Sequence, residues 1–476
     1  MAESLNGLDM GMLAGETPEW HMHTGALVLL EPVDGRAEEF ATRIQAVLNA
    51  RRAALGPFRY RLREAPLGLG RSVWVEASDI DLGARVREIS VPAPGGMREV
   101  AAQAGEIFST PLDRTGPLWE IWVVDGLQGG EVALIVKVHH ALMDGVRGAR
   151  LFEALFDLEP DAPLERPEAE LGAPISDALI SDAPESEPSR LQMLASSGAF
   201  LAGTPVRALR LGTTLVPAAG RLARLLVSPE GRAAAGSFTA PRSLLNRPLT
   251  SRRSFAFASI SLDDMRVVKR AFGVTMNDVA LALSGATLRD YLVARDALPA
   301  RPLVVQVPVG VHREGEGTSG NMVAAAGTSL HTDLADPVER LLAIHASMQG
   351  AKALQAALGD DIVVDALGVL PPAALSAGIG VYRGLGIDRL HPPIFNAIVS
   401  NIPGPPIPLY SCGARLAATY TLGPLLAGSA VNITLMSYQD RVDFGVATCP
   451  DVVDDPWEIA EGIPDALAVL RKVADG

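Results

Sequence analysis

The stretch IVKVHHALMDGVRG, Ile135 to Gly148, sets two adjacent histidines, His139 and His140, at the end of an apolar run and follows them after three residues with Asp144-Gly145. EVALIVKV, ending at Val138, and the upstream PLWEIWVVDGL are both β-rich, and Gln128-Gly129-Gly130 between them reads as the turn of a hairpin. The second strand delivers the histidines to its end, where the backbone leaves the sheet. Successive strand side chains face opposite ways, so only one of the two can face a given cleft. Gly145 permits a close turn, and VRGARLFEALFDL beyond it has helical spacing.

A neutral imidazole, with an unperturbed pKa of about 6.5, can accept a proton from a hydroxyl or an amine. His140 is therefore the candidate general base. His139 supports the geometry of the turn, and Asp144 anchors the loop or caps the next helix. The competing reading is two satisfied polar residues at a strand end. A metal site is disfavoured: it needs both imidazoles on one ion with further ligands, and no cysteine lies nearby. We expect no metal and no cofactor.

Working outward, TGALVLL (24–30) reads as a buried strand and 36–54 as a helix through Phe40, Ile44, Val47 and Leu48. Val73 and Val75 mark a strand, and 98–109 a helix. From Asp157 to Pro188 the chain is rich in Pro, Asp, Glu and Ser and reads as an exposed, mobile linker. Residues 191–227 reverse this character: Arg207, Arg210, Arg221 and Arg224 stand among Leu, Val and Ala with no acid. Pro205 and Pro217 predict a break into short helices there. This basic, apolar mixture suits either a solvated helix face or docking on a membrane surface.

Strands and helices then resume. RRSFAFASISL alternates like a strand, and DDMRVVKRAFG is a helix with an Asp start and a Gly stop. TMNDVALALSGATLRDYL is a helix capped near Thr275 or Asn277, and PLVVQVPVGV a buried strand. DPVERLLAIHASMQGA is a helix, and NAIVSNIPGPPIPL runs from strand into a rigid loop. AVNITLMSYQDRVDFGVAT is a hairpin turning at Gln439-Asp440-Arg441, and a last helix starts near Asp455. The pattern predicts two α/β domains, 1–156 and 241–476, with the acidic linker and basic helical segment, 157–240, between them.

Composition narrows the function. At 476 residues with a net charge of -14 and no basic stripe, a nucleic-acid binder is excluded. Two cysteines, Cys412 and Cys449, exclude a disulfide framework and suit a reducing cytosol. The first residues lack a signal-peptide pattern, and no apolar run reaches the roughly 18 residues of a membrane span. We expect a cytoplasmic, unsecreted protein. Mean hydropathy is nevertheless +0.22, which points to apolar substrates or a membrane surface. G-x-S-x-G, the Walker A loop and the dinucleotide turn are all missing, which sets aside serine acyl-enzyme, nucleotide and hydride chemistry.

HHALMDG resembles the H-H-x-x-x-D-G pattern of CoA-dependent acyltransferases and peptide-synthetase condensation domains. LDRTGPLWE (112–120), TMNDVALAL (275–283) and SNIPGP (400–405) resemble further blocks of one family in that group, the wax ester synthase/acyl-CoA:diacylglycerol acyltransferases. HMHTGALVLLEP, APRSLLNRPLTSRRSFA and VPVGVHREGEGTSGNMV resemble it too, in the family's order along nearly the whole chain. The resemblance implies two similar chloramphenicol-acetyltransferase-like α/β domains around a central solvent channel. Acyl-CoA and a lipid alcohol would enter it from opposite sides, at a peripheral membrane or lipid-droplet surface. Catalysis would fall to His140, His139, Asp144 and Gly145. Asn277 either caps its helix with Asp278 or faces the channel; Ser400 and Asn401 keep a channel role open at a strand exit. Pro117, Leu118 and Trp119 read as core packing. The implied product is triacylglycerol, with wax esters from fatty alcohols. A different acceptor (a polyketide-type diol or an amine) and a catalytically silent lipid-surface protein are the alternatives.

Overall fold

The computed structural model describes residues 3–32, 37–76, 79–143, 145–165, 188–226, 240–310, 323–358, 362–387 and 390–475. The first half holds β1 (Glu3–Ser4), α1 (Gly7–Gly15), β2 (His23–Leu30), α2 (Ala37–Ala50), β3 (Tyr60–Arg63), β4 (Val73–Glu76), β5 (Val86–Ser90), α3 (Met97–Ser109), β6 (Trp119–Asp125), β7 (Val132–His139) and α4 (Gly145–Leu155). A long helix, α5 (Arg190–Leu226), follows. The second half holds β8 (Ser254–Ser261), α6 (Leu262–Phe272), α7 (Met276–Val293), β9 (Val304–Gly310), β10 (Val323–Ser329), α8 (Pro337–Leu358), α9 (Ile362–Val369), α10 (Pro372–Gly384), β11 (Ala397–Ile402), β12 (Tyr410–Ser411), β13 (Ala414–Leu422), β14 (Val431–Tyr438), β15 (Arg441–Thr448) and α11 (Trp457–Asp475).

Two six-stranded mixed sheets organise these elements, in the orders β12-β13-β2-β7-β6-β5 and β10-β9-β11-β14-β15-β8. β6 and β7 form the expected antiparallel hairpin, and β2 lies on the other side of β7 with His23 opposite His139. β13 comes from the second half yet pairs with β2. Residues 410–422, within the range read as a separate second domain, therefore complete the first sheet. Buried Asp443 on β15 holds the crossing strand by accepting the Thr419 N–H at 2.9 Å.

β7 is buried along its whole length because both its faces are covered. Val132, Leu134, Val136 and Val138 pack with Phe40, Ile44 and Leu48 of α2 and with Trp74 and Trp119. Ala133 and Ile135, on the other face, join α3 and the core of the second half. The face of β7 that carries His139 is thus the one turned toward the junction of the halves.

Local details refine four expectations. The turn between β14 and β15 is only Gln439-Asp440, because Arg441 already pairs with Tyr438. α6 is capped by Ser261, whose hydroxyl accepts the Asp264 N–H at 3.2 Å; the aspartates occupy its first turn. α5 runs unbroken for 37 residues through Pro205 and Pro217. A proline inside a helix costs about 3 kcal/mol. Packing of Met193, Ser197, Phe200 and Ala218 offsets it, and the Thr204 hydroxyl and Arg207 guanidinium cover the Phe200 carbonyl near the first proline. Finally, the start of the acidic segment is fastened down. Asp157 is buried, ion-paired with Arg51 at 2.9 Å and bridged to Tyr410, while Arg51 also reaches the Pro163 and Leu164 carbonyls. Most of that segment, 166–187, lies outside the described residues.

Candidate active site

The two histidines part company at the end of β7. His139 is the last strand residue, and His140 opens a single 3-10 turn, His140–Leu142. Three hydrogen bonds fix the exchange. The His139 N–H donates to the Leu118 carbonyl at 2.9 Å, and the His140 N–H to the Met22 carbonyl at 2.6 Å. The Ala141 N–H donates to His139 Nδ1 at 3.1 Å, so the His139 imidazole is the N-cap of the turn that carries its neighbour. His139 is 1% exposed, whereas His140 keeps partial access to solvent. Gly145 then opens α4; Asp144 lies outside the described residues.

Pro117, Leu118 and Trp119 are all buried. Trp119 pairs with Val138 and donates its indole N–H to the Phe58 carbonyl at 2.6 Å. With the Leu118 carbonyl on His139, this block is a scaffold for the histidine turn, consistent with core packing.

The second-half candidates lie on α7 and β11. Asp278 is 2% exposed and forms a capping box with Thr275; its Oδ2 also meets His345 Nδ1 at 2.7 Å. That carboxylate is committed to the start of α7, so a channel-lining role does not fit it. Asn277, in the first turn, is half-buried. Ser400 and Asn401 lie inside β11, paired in parallel with Thr434 and Leu435 of β14, and the loop exit begins only after Ile402.

Around the histidine turn the structure gathers residues that sequence reasoning missed. Glu16, which caps the C-terminal end of α1, places Oε2 3.7 Å from His139 Nε2 and against the Arg114 guanidinium. Burial alone would raise the Glu16 carboxyl; the neighbouring His139 ring and the Arg114 guanidinium outweigh it and hold the group down at about 2. His21 and His23 stand with ring centroids 5.0 Å apart, and His23 Nδ1 lies 3.4 Å from the Phe108 carbonyl. Burial pulls both imidazoles down, with Arg253 adding to the effect on His21 and Lys137 to that on His23, so both are neutral. Lys137, fully buried, donates to the Ile107 and Thr110 carbonyls and to Glu120 Oε1 at 3.0 Å. The signal for His21 and His23 was present: a period-2 pair just ahead of an apolar strand points both rings to one face. Glu16 had none, because its partners are about 100 or more positions away.

A small crevice lies beside these rings at the junction of the halves, lined by His21, His23 and Phe108 on one side and Arg253, Phe255 and Leu425 on the other. Arg253 staples that junction: its guanidinium donates to the Thr250, Arg252 and Glu19 carbonyls, and its backbone N–H to the Ser109 hydroxyl. Among the described residues no cluster of three His, Cys, Asp or Glu side chains is arranged to hold a metal. The chemistry on offer is proton transfer by the partly exposed His140 imidazole, with His139 and ionised Glu16 behind it.

Comparison with known proteins finds the wax ester synthase/diacylglycerol acyltransferase catalytic domain over residues 5–280 and the C-terminal domain of the same family over 319–471. Two Mycobacterium tuberculosis proteins, provisionally named diacylglycerol O-acyltransferases, are 35% and 38% identical over 99% and 98% of this chain and 91% and 99% of their own. The solved wax ester synthase/diacylglycerol acyltransferase of Marinobacter aquaeolei VT8 is 30% identical, covering 99% of this chain and 100% of its own, with a TM-score of 0.68. The first condensation domain of the CDA synthetase, at 15% identity, 100% and 96% coverage and a TM-score of 0.56, shares the fold.

Proposed function

Since this chain belongs to the wax ester synthase/diacylglycerol acyltransferase family and is an acyltransferase, we propose that it moves the acyl group of acyl-CoA directly onto the hydroxyl of diacylglycerol, giving triacylglycerol, and onto fatty alcohols, giving wax esters. The observation that carries the mechanism is the turn at the end of β7, where the Leu118 and Met22 carbonyls and the His139 cap hold the backbone so that His140 alone leaves the sheet.

His140 takes the proton of the alcohol as its oxygen attacks the thioester carbonyl. The carbon–sulfur bond then breaks, and the same imidazole returns the proton to the departing CoA sulfur. No acyl-enzyme forms, and no metal or cofactor is called on. Burial of both substrates in one apolar junction supplies the proximity term. Asn277, half-buried at the N-terminus of α7, and Ser400 and Asn401 on β11 are the second-half side chains left to hold substrate, Asp278 being committed to its cap.

The surface supports access to lipid. α5 exposes Leu191 (78%), Leu209 (71%) and Val216 (74%) on a helix with five arginines and no acid. Two of the arginines are already engaged, Arg207 over the Phe200 ring and Arg221 on the Ala357 carbonyl. Exposed Arg190, Arg210 and Arg224 therefore remain for anionic headgroups. Among the described residues no single helix is long and apolar enough to cross a membrane.

The deciding experiment incubates the purified protein with a long-chain acyl-CoA and diacylglycerol, hexadecanol, short diols or amines, with EDTA present and absent. CoA thiol release with ester formed from both lipid alcohols, insensitive to EDTA, is expected. Strong preference for a small diol or an amine would move the assignment to another acceptor, and no turnover with any acceptor would leave a silent lipid-surface protein.

A further inference from the structure

Glu16 is an ionised carboxylate in a buried setting next to the motif, and the acyl-transfer scheme above does not use it. One oxygen, Oε2, is shared: the Arg114 guanidinium donates to it, and His139 Nε2 lies 3.7 Å away. Arg114 is itself held by Glu64, which accepts from Nη1 at 2.7 Å, and by the Leu13 carbonyl, which accepts at 3.2 Å from the Nη2 that also serves Glu16. Behind this clamp, α1 packs against the His140–Leu142 turn.

The geometry dictates where the His139 proton sits. Nδ1 accepts the Ala141 N–H, so it carries no hydrogen, and in neutral His139 the proton is on Nε2. Nε2 is fully buried and has no hydrogen-bond partner. At 3.7 Å from Glu16 Oε2 it is somewhat beyond a formed hydrogen bond, so the carboxylate acts on the Nε2–H through its charge. If the proton moved to Nδ1, two N–H groups would face each other and the turn under His140 would lose its cap.

We infer that Glu16 is a positioning residue: held by Arg114, it keeps the proton on His139 Nε2 and thereby fixes the turn that presents His140 to the alcohol. This rests on His140 being the base. Glu16 touches neither substrate, and its effect on turnover passes through His139.

The test is a double-mutant cycle on the full-length protein with acyl-CoA and diacylglycerol. Glu16→Ala should lower kcat about 10- to 100-fold, less than the about 10²–10⁴ that a general base itself contributes, with KM for acyl-CoA little changed. Glu16→Gln, whose amide oxygen can take the Oε2 position between Arg114 and His139, should restore most of kcat. The double variant Glu16→Ala/His139→Ala should be no slower than His139→Ala alone, because both act on one turn. Additive losses, a folded Glu16→Ala protein with wild-type kcat, or a Glu16→Gln protein as slow as Glu16→Ala would overturn the inference. The imidazole 15N spectrum of wild-type His139 needs no variant: an Nε2–H tautomer is expected, and an Nδ1–H tautomer or an imidazolium would overturn it. A folded His140→Ala enzyme with near-wild-type turnover would instead sink the base assignment, whatever Glu16 does.

Discussion

Replacing His139 tests a separation between holding the site and doing the chemistry. In His139→Ala the Ala141 N–H loses its acceptor, and Ala141 is 0% exposed, so water cannot reach it. An orphaned buried donor costs about 1–3 kcal/mol. Loss of the packed imidazole, itself 1% exposed, adds about 1–2 kcal/mol of cavity cost on the scale of large-to-small core changes. The sum, about 2–5 kcal/mol, should lower Tm by several degrees and lower kcat with it. His139→Asn separates the two effects. Its Oδ1 branches from Cγ as Nδ1 does and can accept the same N–H, and asparagine is a favoured N-cap. It has nothing at the Nε2 position. Thermal melts and steady-state kinetics on the two variants should therefore show Asn recovering much of Tm and little of kcat. A His139→Ala protein as stable as wild type would refute the cap, and full recovery of kcat by Asn would refute any need for Nε2.

Three further outcomes are expected. His140→Ala should cut turnover toward the upper part of the about 10²–10⁴ range of a general base while Tm stays within about a degree of wild type; a folded variant with wild-type kcat would contradict the mechanism. Acidification should destabilise the fold below a pH of about 6.5. His21 and His23 are held below their ordinary pKa by burial, so the unfolded chain binds more protons in that window, and stability present above it is lost as pH falls. A Tm that does not change between pH 7 and 5.5 would contradict this. Glu16, held near 2, contributes stability present above about 4.5 and lost only in stronger acid. Arg210→Gln with Arg224→Gln should weaken binding to anionic vesicles, most at low salt, and Arg207→Gln should do so less because that guanidinium is already stacked on Phe200 at 3.8 Å; equal effects from all three would remove the docking argument.

The elements and the histidine turn were legible in the sequence because their causes are local. The apolar, β-rich run VALIVKVH and the Gly-Gly turn before it act within a few residues, as does the capping of α7 by Thr275. The family blocks were legible for the same reason, each being a short stretch with its own geometry. At the start of the acidic run composition did not reveal a distant partner: Arg51 closes an ion pair with buried Asp157 that no spacing encodes, while 158–165 are mostly exposed as expected. α5 misled in the opposite sense, since proline's local penalty was outweighed by burial against elements elsewhere in the chain. Only the tertiary structure put β13 beside β2, His23 opposite His139, and Glu16 between Arg114 and His139. These are contacts across about 100 to 400 positions. They are decided by which apolar faces must be buried together, so the sequence supplied the candidate imidazole, and the packing of the two halves supplied the residues gathered around it.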